Sequence, residues 1–192
     1  IPFTPYPTRL NAACLAVCRK GWCKLNINLR EYEMREGMLC IILPEQIVQQ
    51  GERSDDFSGS FIAVSRDFMD LVIPTMQQLF PMFFMIKERP CIAVTADELQ
   101  AFEEYHSFLW SKVKLKDNPY RKEITQGLLM ALCYEIYDIY QGHAVKERTP
   151  KSRKEDLFER FIRYVYEFYK EERSVSYYAG KMFLTPKHLS TV

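Results

Sequence analysis

The period with which apolar residues recur changes along this chain, and this change constrains the fold more than any other feature. Up to residue 64 the apolar residues come in short bursts, and residues 24–30 alternate polar and apolar side chains. Such alternation is typical of a half-buried strand. Because Gly, Pro and Ser separate the bursts, this part predicts several short strands in a small sandwich or barrel.

Helical periodicity takes over after residue 95. Thr95 and Glu98 have the spacing of a capping box, and apolar residues recur behind them through Val113 at helical intervals. Residues 118–119, an Asn-Pro pair, open a further helix that should stop near Gly142. These patterns predict two amphipathic helices after the strands.

Two segments between the strands and these helices have weaker patterns. Residues 67–80 predict a first helix, which Pro74 should kink or divide. Residues 90–94 predict a strand that returns to the β-rich part.

A basic, polar stretch marks the best domain boundary. Residues 142–152 contain Gly and Pro among Lys and Arg, so they predict a linker. One more amphipathic helix follows over 153–172. The chain is therefore expected to have a first domain at 1–141, β-rich over 1–94 and helical over 95–141, and the start of a second at 153–192.

Charge and cysteine content exclude several classes of protein. The formal net charge is +1, so a nucleic-acid-binding surface would have to be local. Apolar runs are too short for a membrane span, which predicts no membrane partner. The six cysteines show neither a Cys-x-x-Cys motif nor zinc spacing, so reduced thiols in a cytoplasmic protein are expected.

Residues 177–192 hold the pattern with the clearest functional meaning. A short helical stretch with the small residue Ala179 is followed by Thr185, a good N-cap, and Pro186, a good first helical residue. Leu189 would face back toward Ala179. This describes a helix-turn-helix, in which the second helix reads DNA. Spacing alone is equally compatible with two helices that only pack together.

The sequence of this segment resembles the first helix-turn-helix of the AraC/XylS family of transcription regulators. The matching elements are the Tyr178–Ala179 pair, the Thr185 cap and the Leu189–Ser190 pair, while Phe183 stands where many members have Gly. The resemblance implies a DNA-binding domain with two such units, so this chain is expected to stop inside the first recognition helix. A helix cut off there is expected to fray.

The resemblance also suggests which residues contact DNA. Lys187, Ser190 and Thr191 match positions where the family places base-facing side chains, and Lys181 and His188 match positions near phosphates. The alternative is that these side chains are merely solvated.

The first 141 residues resemble the family's other half, a cupin-like β-barrel that senses an effector, followed by helices that pair two subunits. The implied fold is α+β: this barrel, the helical dimerisation segment, and a partial all-α helix-turn-helix domain. Expected partners are DNA, for the full-length protein, a small-molecule effector and a second copy. The pocket candidates are Trp22, Tyr32, Phe57 and Phe61, and the dimer-contact candidates are Leu128, Leu132 and Ile136. For both sets, packing within the chain's own core is the alternative.

A cupin-type small-molecule binding protein or a metal-dependent cupin enzyme is the competing interpretation. Metal cupins need several His residues and a Glu on neighbouring strands. The three histidines here, His106, His143 and His188, lie outside the β-rich part. Ser-His-Asp and Cys-His sets and glycine-rich phosphate loops are also missing. We therefore expect no catalytic residues, metal or cofactor, and hence a protein that is not an enzyme.

Overall fold

The computed structural model describes residues 5–72, 77–146 and 153–191. Its strands are β1 (Thr8–Arg9), β2 (Ala12–Lys20), β3 (Trp22–Ile27), β4 (Arg30–Arg35), β5 (Met38–Ile42), β6 (Ile47–Arg53), β7 (Ser58–Ser65) and β8 (Cys91–Ala93). Its α-helices are α1 (Arg66–Val72), α2 (Phe80–Glu88), α3 (Ala96–Val113), α4 (Arg121–Lys146), α5 (Arg153–Phe168), α6 (Val175–Lys181) and α7 (Pro186–Leu189). A 3-10 turn at Gln77–Leu79 precedes α2.

The strands form two antiparallel sheets of four strands each. Sheet 1 has the order β1-β6-β3-β4 and sheet 2 has the order β7-β2-β5-β8. Over the described residues, the hydrogen-bonded pairs run within each sheet, so the expected cupin-like barrel is not closed and this part of the prediction is corrected. The α+β class is confirmed in its coarse form, with antiparallel sheets followed by helices.

Sheet 2 has a hydrophobic core on each of its faces, which explains why its strand β2 is so apolar. All six residues at 13–18 of β2 are buried. Because successive side chains of a strand point to opposite faces, β2 supplies two cores at once. Its even-numbered residues join the core between the sheets, and its odd-numbered residues join the core beneath the helices.

The hydrophobic pattern did not predict strands β4 and β6, because one face of sheet 1 is exposed to solvent. Both strands carry charged residues on that outer face. There the Lys24 Nζ atom lies 3.6 Å from Glu31 Oε1 and 3.7 Å from Glu52 Oε2. Only one side of these strands needs apolar residues, so their hydrophobic signal is short and weak.

The start of α3 agrees with the sequence prediction, whereas the end of α4 does not. The capping box is confirmed, since the Glu98 N–H donates to Thr95 Oγ1 at 3.2 Å and the Thr95 N–H donates to Glu98 Oε2 at 2.7 Å. By contrast, α4 continues through Gly142 to Lys146, so the predicted linker begins too early. One interior glycine costs about 1 kcal/mol, which a long packed helix can absorb. Residues 147–152 and Pro74 lie outside the described residues.

An ion pair fastens α3 to sheet 2. The Arg19 guanidinium on β2 donates through Nε to Glu103 Oε1 at 2.6 Å and also through Nη2 to the other carboxylate oxygen. The Ser60 hydroxyl on β7 donates to Glu103 Oε2 at 3.1 Å. The hydrogen bond from Arg19, and to a smaller extent that from Ser60, lowers the pKa of the Glu103 carboxyl.

This pair predicts an acid-sensitive contribution to stability. Because the pKa of Glu103 is lower in the folded chain, its stabilisation is present above the unfolded value of about 4.3 and is lost as the pH falls through the folded value. We expect Glu103→Gln to lower the free energy of unfolding by about 1 kcal/mol at pH 7. Urea unfolding at several pH values measures this effect.

The matched control is Glu104→Gln, on the neighbouring position of α3, where the carboxylate accepts from Gln100 within its own helix. That variant should unfold as the wild type does. If the Glu103→Gln deficit were the same at pH 7 and at a pH below the folded pKa of Glu103, the ion pair would not be its cause.

Candidate functional site

The last three helices form a small core of their own. Their buried residues are Leu157, Tyr178, Ala179, Met182 and Leu189. Ala179 is 0% exposed. Aromatic rings surround this core: Phe161 packs edge-on against Tyr178 at 5.8 Å between centroids, and Phe168 packs against Tyr177 at 5.7 Å. Together these contacts fix α6 against α5.

The turn between α6 and α7 has the form expected of a helix-turn-helix. Thr185 caps α7, accepting from the His188 N–H at 3.2 Å, and Pro186 is the first helical residue, as predicted. Phe183 adopts a φ of 57°, in the left-handed region that favours glycine. The Leu184 N–H then donates to the Ala179 carbonyl at 2.9 Å and closes the turn. The Phe183 ring points outward and is 92% exposed.

Four of the five predicted DNA-contacting residues share the outer surface of α7 and its last turn. Leu189 is buried, whereas Lys187, His188, Ser190 and Thr191 are exposed. The two hydroxyl groups donate back to their own helix, Ser190 to the Pro186 carbonyl at 2.9 Å and Thr191 to the His188 carbonyl at 2.8 Å. Their oxygens keep acceptor capacity toward an external donor.

The fifth residue, Lys181, is held differently. Its ammonium lies over the Phe168 ring at 4.6 Å and near the Tyr177 ring at 5.6 Å from the centroid. These cation–π contacts place the charge against the junction of α5 and α6. A phosphate contact from Lys181 therefore competes with this packing, which the sequence did not indicate.

The four aromatic residues proposed for the effector pocket do not converge. Phe57 and Phe61 border one cavity of about 40 Å³ between the sheets, and Tyr32 packs against the same core. Trp22 lies on the opposite face of β3, since Cys23 and Leu25 point inward. Ligand pockets for small molecules usually measure roughly 300–1,000 Å³, so this cavity is too small for such an effector.

Two other cavities lie between sheet 2 and the helices. One, of about 60 Å³, is lined almost wholly by apolar side chains from the sheet, α1, α2 and α4. The other is a cleft of about 240 Å³ between α3 and α4. Phe102, Ile136 and Ile139 are among its apolar residues, and carboxylates of both helices, including Asp97 and Glu135, also line it.

The predicted dimer-contact residues pack within their own chain. Leu132 and Ile136 are each 2% exposed in the core beneath the helices, and Leu128 packs against that core. The apolar face of α4 thus covers sheet 2 and α3. In the single chain, Leu132 and Ile136 are therefore covered by side chains of the chain itself.

An aromatic contact that the sequence did not reveal joins α2 to α5. The Phe84 ring of α2 meets the Phe158 ring of α5 edge-on, with 4.6 Å between centroids. Because the two residues lie far apart in the sequence, no local pattern could have paired them.

All six cysteines are free thiols, and burial raises the pKa of Cys133 to about 12. Within the ranges that the structure covers, no three His, Cys, Asp or Glu residues are grouped so as to hold a metal ion. None of the described helices combines the length and the apolar character that crossing a membrane requires.

Comparison with known proteins gives only distant likenesses. No family model matches the chain, and no curated protein sequence does so either. Among solved structures, ToxT from Vibrio cholerae O395 bound to (E)-4-(8-methylnaphthalen-1-yl)but-3-enoic acid is similar with a TM-score of 0.43 and 11% identity, covering 98% of this chain and 87% of ToxT. The AraC-like transcriptional activator CuxR has a TM-score of 0.40 and 10% identity, covering 93% of this chain and 59% of CuxR. At this distance the likenesses do not assign the chain to a family.

Proposed function

We propose that this chain belongs to a sequence-specific DNA-binding transcription regulator controlled by a small molecule. The observation that carries the proposal is the α6–α7 unit, with its capped second helix, its tight turn at Phe183 and its buried Ala179–Leu189 side. The resemblance of residues 177–190 to the first helix-turn-helix of the AraC/XylS family supports it.

The exposed side of α7 supplies the chemistry for reading DNA. Lys187 can donate to guanine acceptors in the major groove or to a phosphate, and the Ser190 and Thr191 oxygens can accept from base amino groups. His188, beside them, adds a donor that can reach the backbone. The buried Leu189 fixes which side of the helix faces outward.

The cavity between the sheets measures about 40 Å³, whereas the cleft between α3 and α4 measures about 240 Å³, near the lower end of the roughly 300–1,000 Å³ usual for ligand pockets. We therefore place the effector in the cleft between α3 and α4. Its apolar residues and carboxylates suit a small molecule with an apolar body and a cationic or hydrogen-bond-donating group. A thermal-shift screen tests this part, with Ala101→Phe, which fills the cleft, as the variant that should lose the shift.

Three further properties belong to the proposal. Two copies pair, since dimers match paired DNA half-sites, and the contact leaves Leu132 inside its own chain. The unpaired thiols suit the cytoplasm. The protein acts by binding and not by catalysis; stoichiometric iron, manganese or zinc in the purified protein would contradict this and favour a metal-dependent cupin enzyme.

The DNA-reading part is tested with Lys187→Ala. The natural protein, expressed in full length, is first given a pool of random duplexes, and the enriched sequence is then used as a probe. We expect Lys187→Ala to weaken binding to that probe by about 1–3 kcal/mol, roughly 5- to 150-fold. Fluorescence anisotropy at fixed salt concentration measures the change.

The matched control is Lys122→Ala, which removes the same charge from the exposed start of α4. It should change the affinity little. If both variants weakened binding equally, Lys187 would contribute only general charge, and the assignment of α7 as the reading helix would fail.

A further inference from the structure

Five of the six cysteines meet in the core between the two sheets. Cys14, Cys18, Cys23 and Cys40 are buried there, and Cys91 packs against them from β8. The sixth, Cys133, lies on α4. An inter-sheet core needs apolar side chains, but it does not require that so many of them be thiols, so this cluster calls for a chemical explanation.

Cys40 and Cys91 stand directly opposite each other on neighbouring antiparallel strands. Cys40 on β5 is the register partner of Cys91 on β8. The Ile41 N–H donates to the Pro90 carbonyl at 2.7 Å, and the Val94 N–H donates to the Gly37 carbonyl at 2.9 Å. Because hydrogen-bonded pairs alternate along an antiparallel ladder, the Cys40–Cys91 pair occupies a non-hydrogen-bonded position.

This position has the spacing that a disulfide requires. Paired residues at non-hydrogen-bonded positions have Cα atoms about 4.5 Å apart and side chains on the same face of the sheet. Disulfides span Cα separations of roughly 4.4–6.8 Å. The two thiols can therefore be joined with little movement of the backbone. Cys14 and Cys18, on β2, have Ile42 and Gly59 as register partners instead of a cysteine.

The two thiols differ in their access to solvent. Cys91 is partly exposed, whereas Cys40 is 0% exposed. The hydrogen bond with Cys91, together with burial, raises the pKa of Cys40 well above its usual range, so Cys40 is a protonated thiol at neutral pH. An oxidant from solution meets Cys91 first, and Cys40 lies next to it.

We propose that Cys91 and Cys40 form a peroxide-sensitive modification site that closes to a cross-strand disulfide. Hydrogen peroxide oxidises the Cys91 sulfur to a sulfenic acid and is itself reduced to water. The Cys40 sulfur then attacks the Cys91 sulfur. The S–S bond forms as the S–O bond breaks, and the Cys40 proton leaves with the hydroxide as a second water.

The disulfide would act on β8, the strand that connects α2 to α3. β8 lies between α2, which contacts α5 through Phe84, and α3, which begins just after Thr95. The Tyr140 hydroxyl of α4 already donates to the Arg89 carbonyl at 2.9 Å, just before β8. A bond from Cys91 to Cys40 therefore fixes β8 on sheet 2, and with it the position at which α2 ends and α3 begins.

The experiment uses the reduced chain treated with hydrogen peroxide. Free thiols are alkylated after unfolding and counted by mass spectrometry, and the cross-linked peptides are mapped. We expect the thiol count to fall by two, a Cys40–Cys91 linked peptide, and a rise of roughly 5 °C in Tm that dithiothreitol reverses.

Two variants complete the test. Cys91→Ser should keep its remaining five thiols at the peroxide dose that converts the wild type, whereas Cys133→Ser should still lose two. Retention of all six thiols in the wild type would overturn the proposal. So would mapping of the disulfide to another pair or to two different chains, and this result does not depend on how the variants fold.

Discussion

Replacing Leu132 by alanine is expected to lower the free energy of unfolding by about 2–5 kcal/mol, one of the two largest effects that the structure predicts. The Leu132 side chain is 2% exposed, in the core where α4 covers sheet 2 and α3. Its removal leaves a cavity that β2 and β5 cannot fill, since both of these central strands are paired on each side. Chemical denaturation monitored by circular dichroism measures the loss.

The control, Leu128→Ala, removes the same atoms one helical turn earlier, where the side chain is only partly buried. Its loss should be clearly smaller. Light scattering on the folded Leu132→Ala chain should give the same oligomeric state as the wild type. If instead the variant kept its stability while a dimer separated into monomers, Leu132 would be a contact between copies, as its helical pattern first suggested.

Replacing Ala179 by leucine is expected to separate α7 from the helices it packs against. Ala179 is 0% exposed between α5, α6 and α7, and five buried residues form this core among the described positions. Adding three carbon atoms costs about 1–3 kcal/mol in a well-packed core, a large part of the stability of so small a unit. We expect residues 175–191 to exchange amide hydrogens faster and DNA affinity to fall at least tenfold.

The neighbouring position offers a matched control. A Cβ atom added at Gly180 meets nothing within 4 Å, and the residue lies inside α6. Gly180→Ala should therefore leave the packing intact and stabilise the helix by about 0.5–1 kcal/mol. If the two variants behaved alike, the close approach of the helices at Ala179 would not hold the unit together.

Features set by neighbouring residues could be predicted from the sequence. The capping box of Thr95 and Glu98 and the Thr185–Pro186 start of α7 depend on residues within one turn, and both have the predicted form. The change from strand to helix periodicity also follows from local spacing. This change in periodicity predicted the α+β class.

Features set by distant residues could not be predicted. A stripe such as Leu128 to Ile136 shows that a helix face is apolar, but not whether its own sheet or a second copy covers it. Likewise, alternation along β3 shows that Trp22 and Cys23 face opposite ways, but not which of them faces the core. The Phe84–Phe158 contact and the Cys40–Cys91 pair depend on the tertiary fold and left no sequence signal.

Selection of binding sites from a pool of random duplexes tests the central claim most directly, that α7 is the reading helix of a transcription regulator. With the natural full-length protein, the account predicts that a defined sequence is enriched over successive rounds and that Lys187→Ala reduces or changes this enrichment while Lys122→Ala does not. A pool that stays random, or a motif that stays the same when the exposed residues of α7 are replaced, would contradict the account.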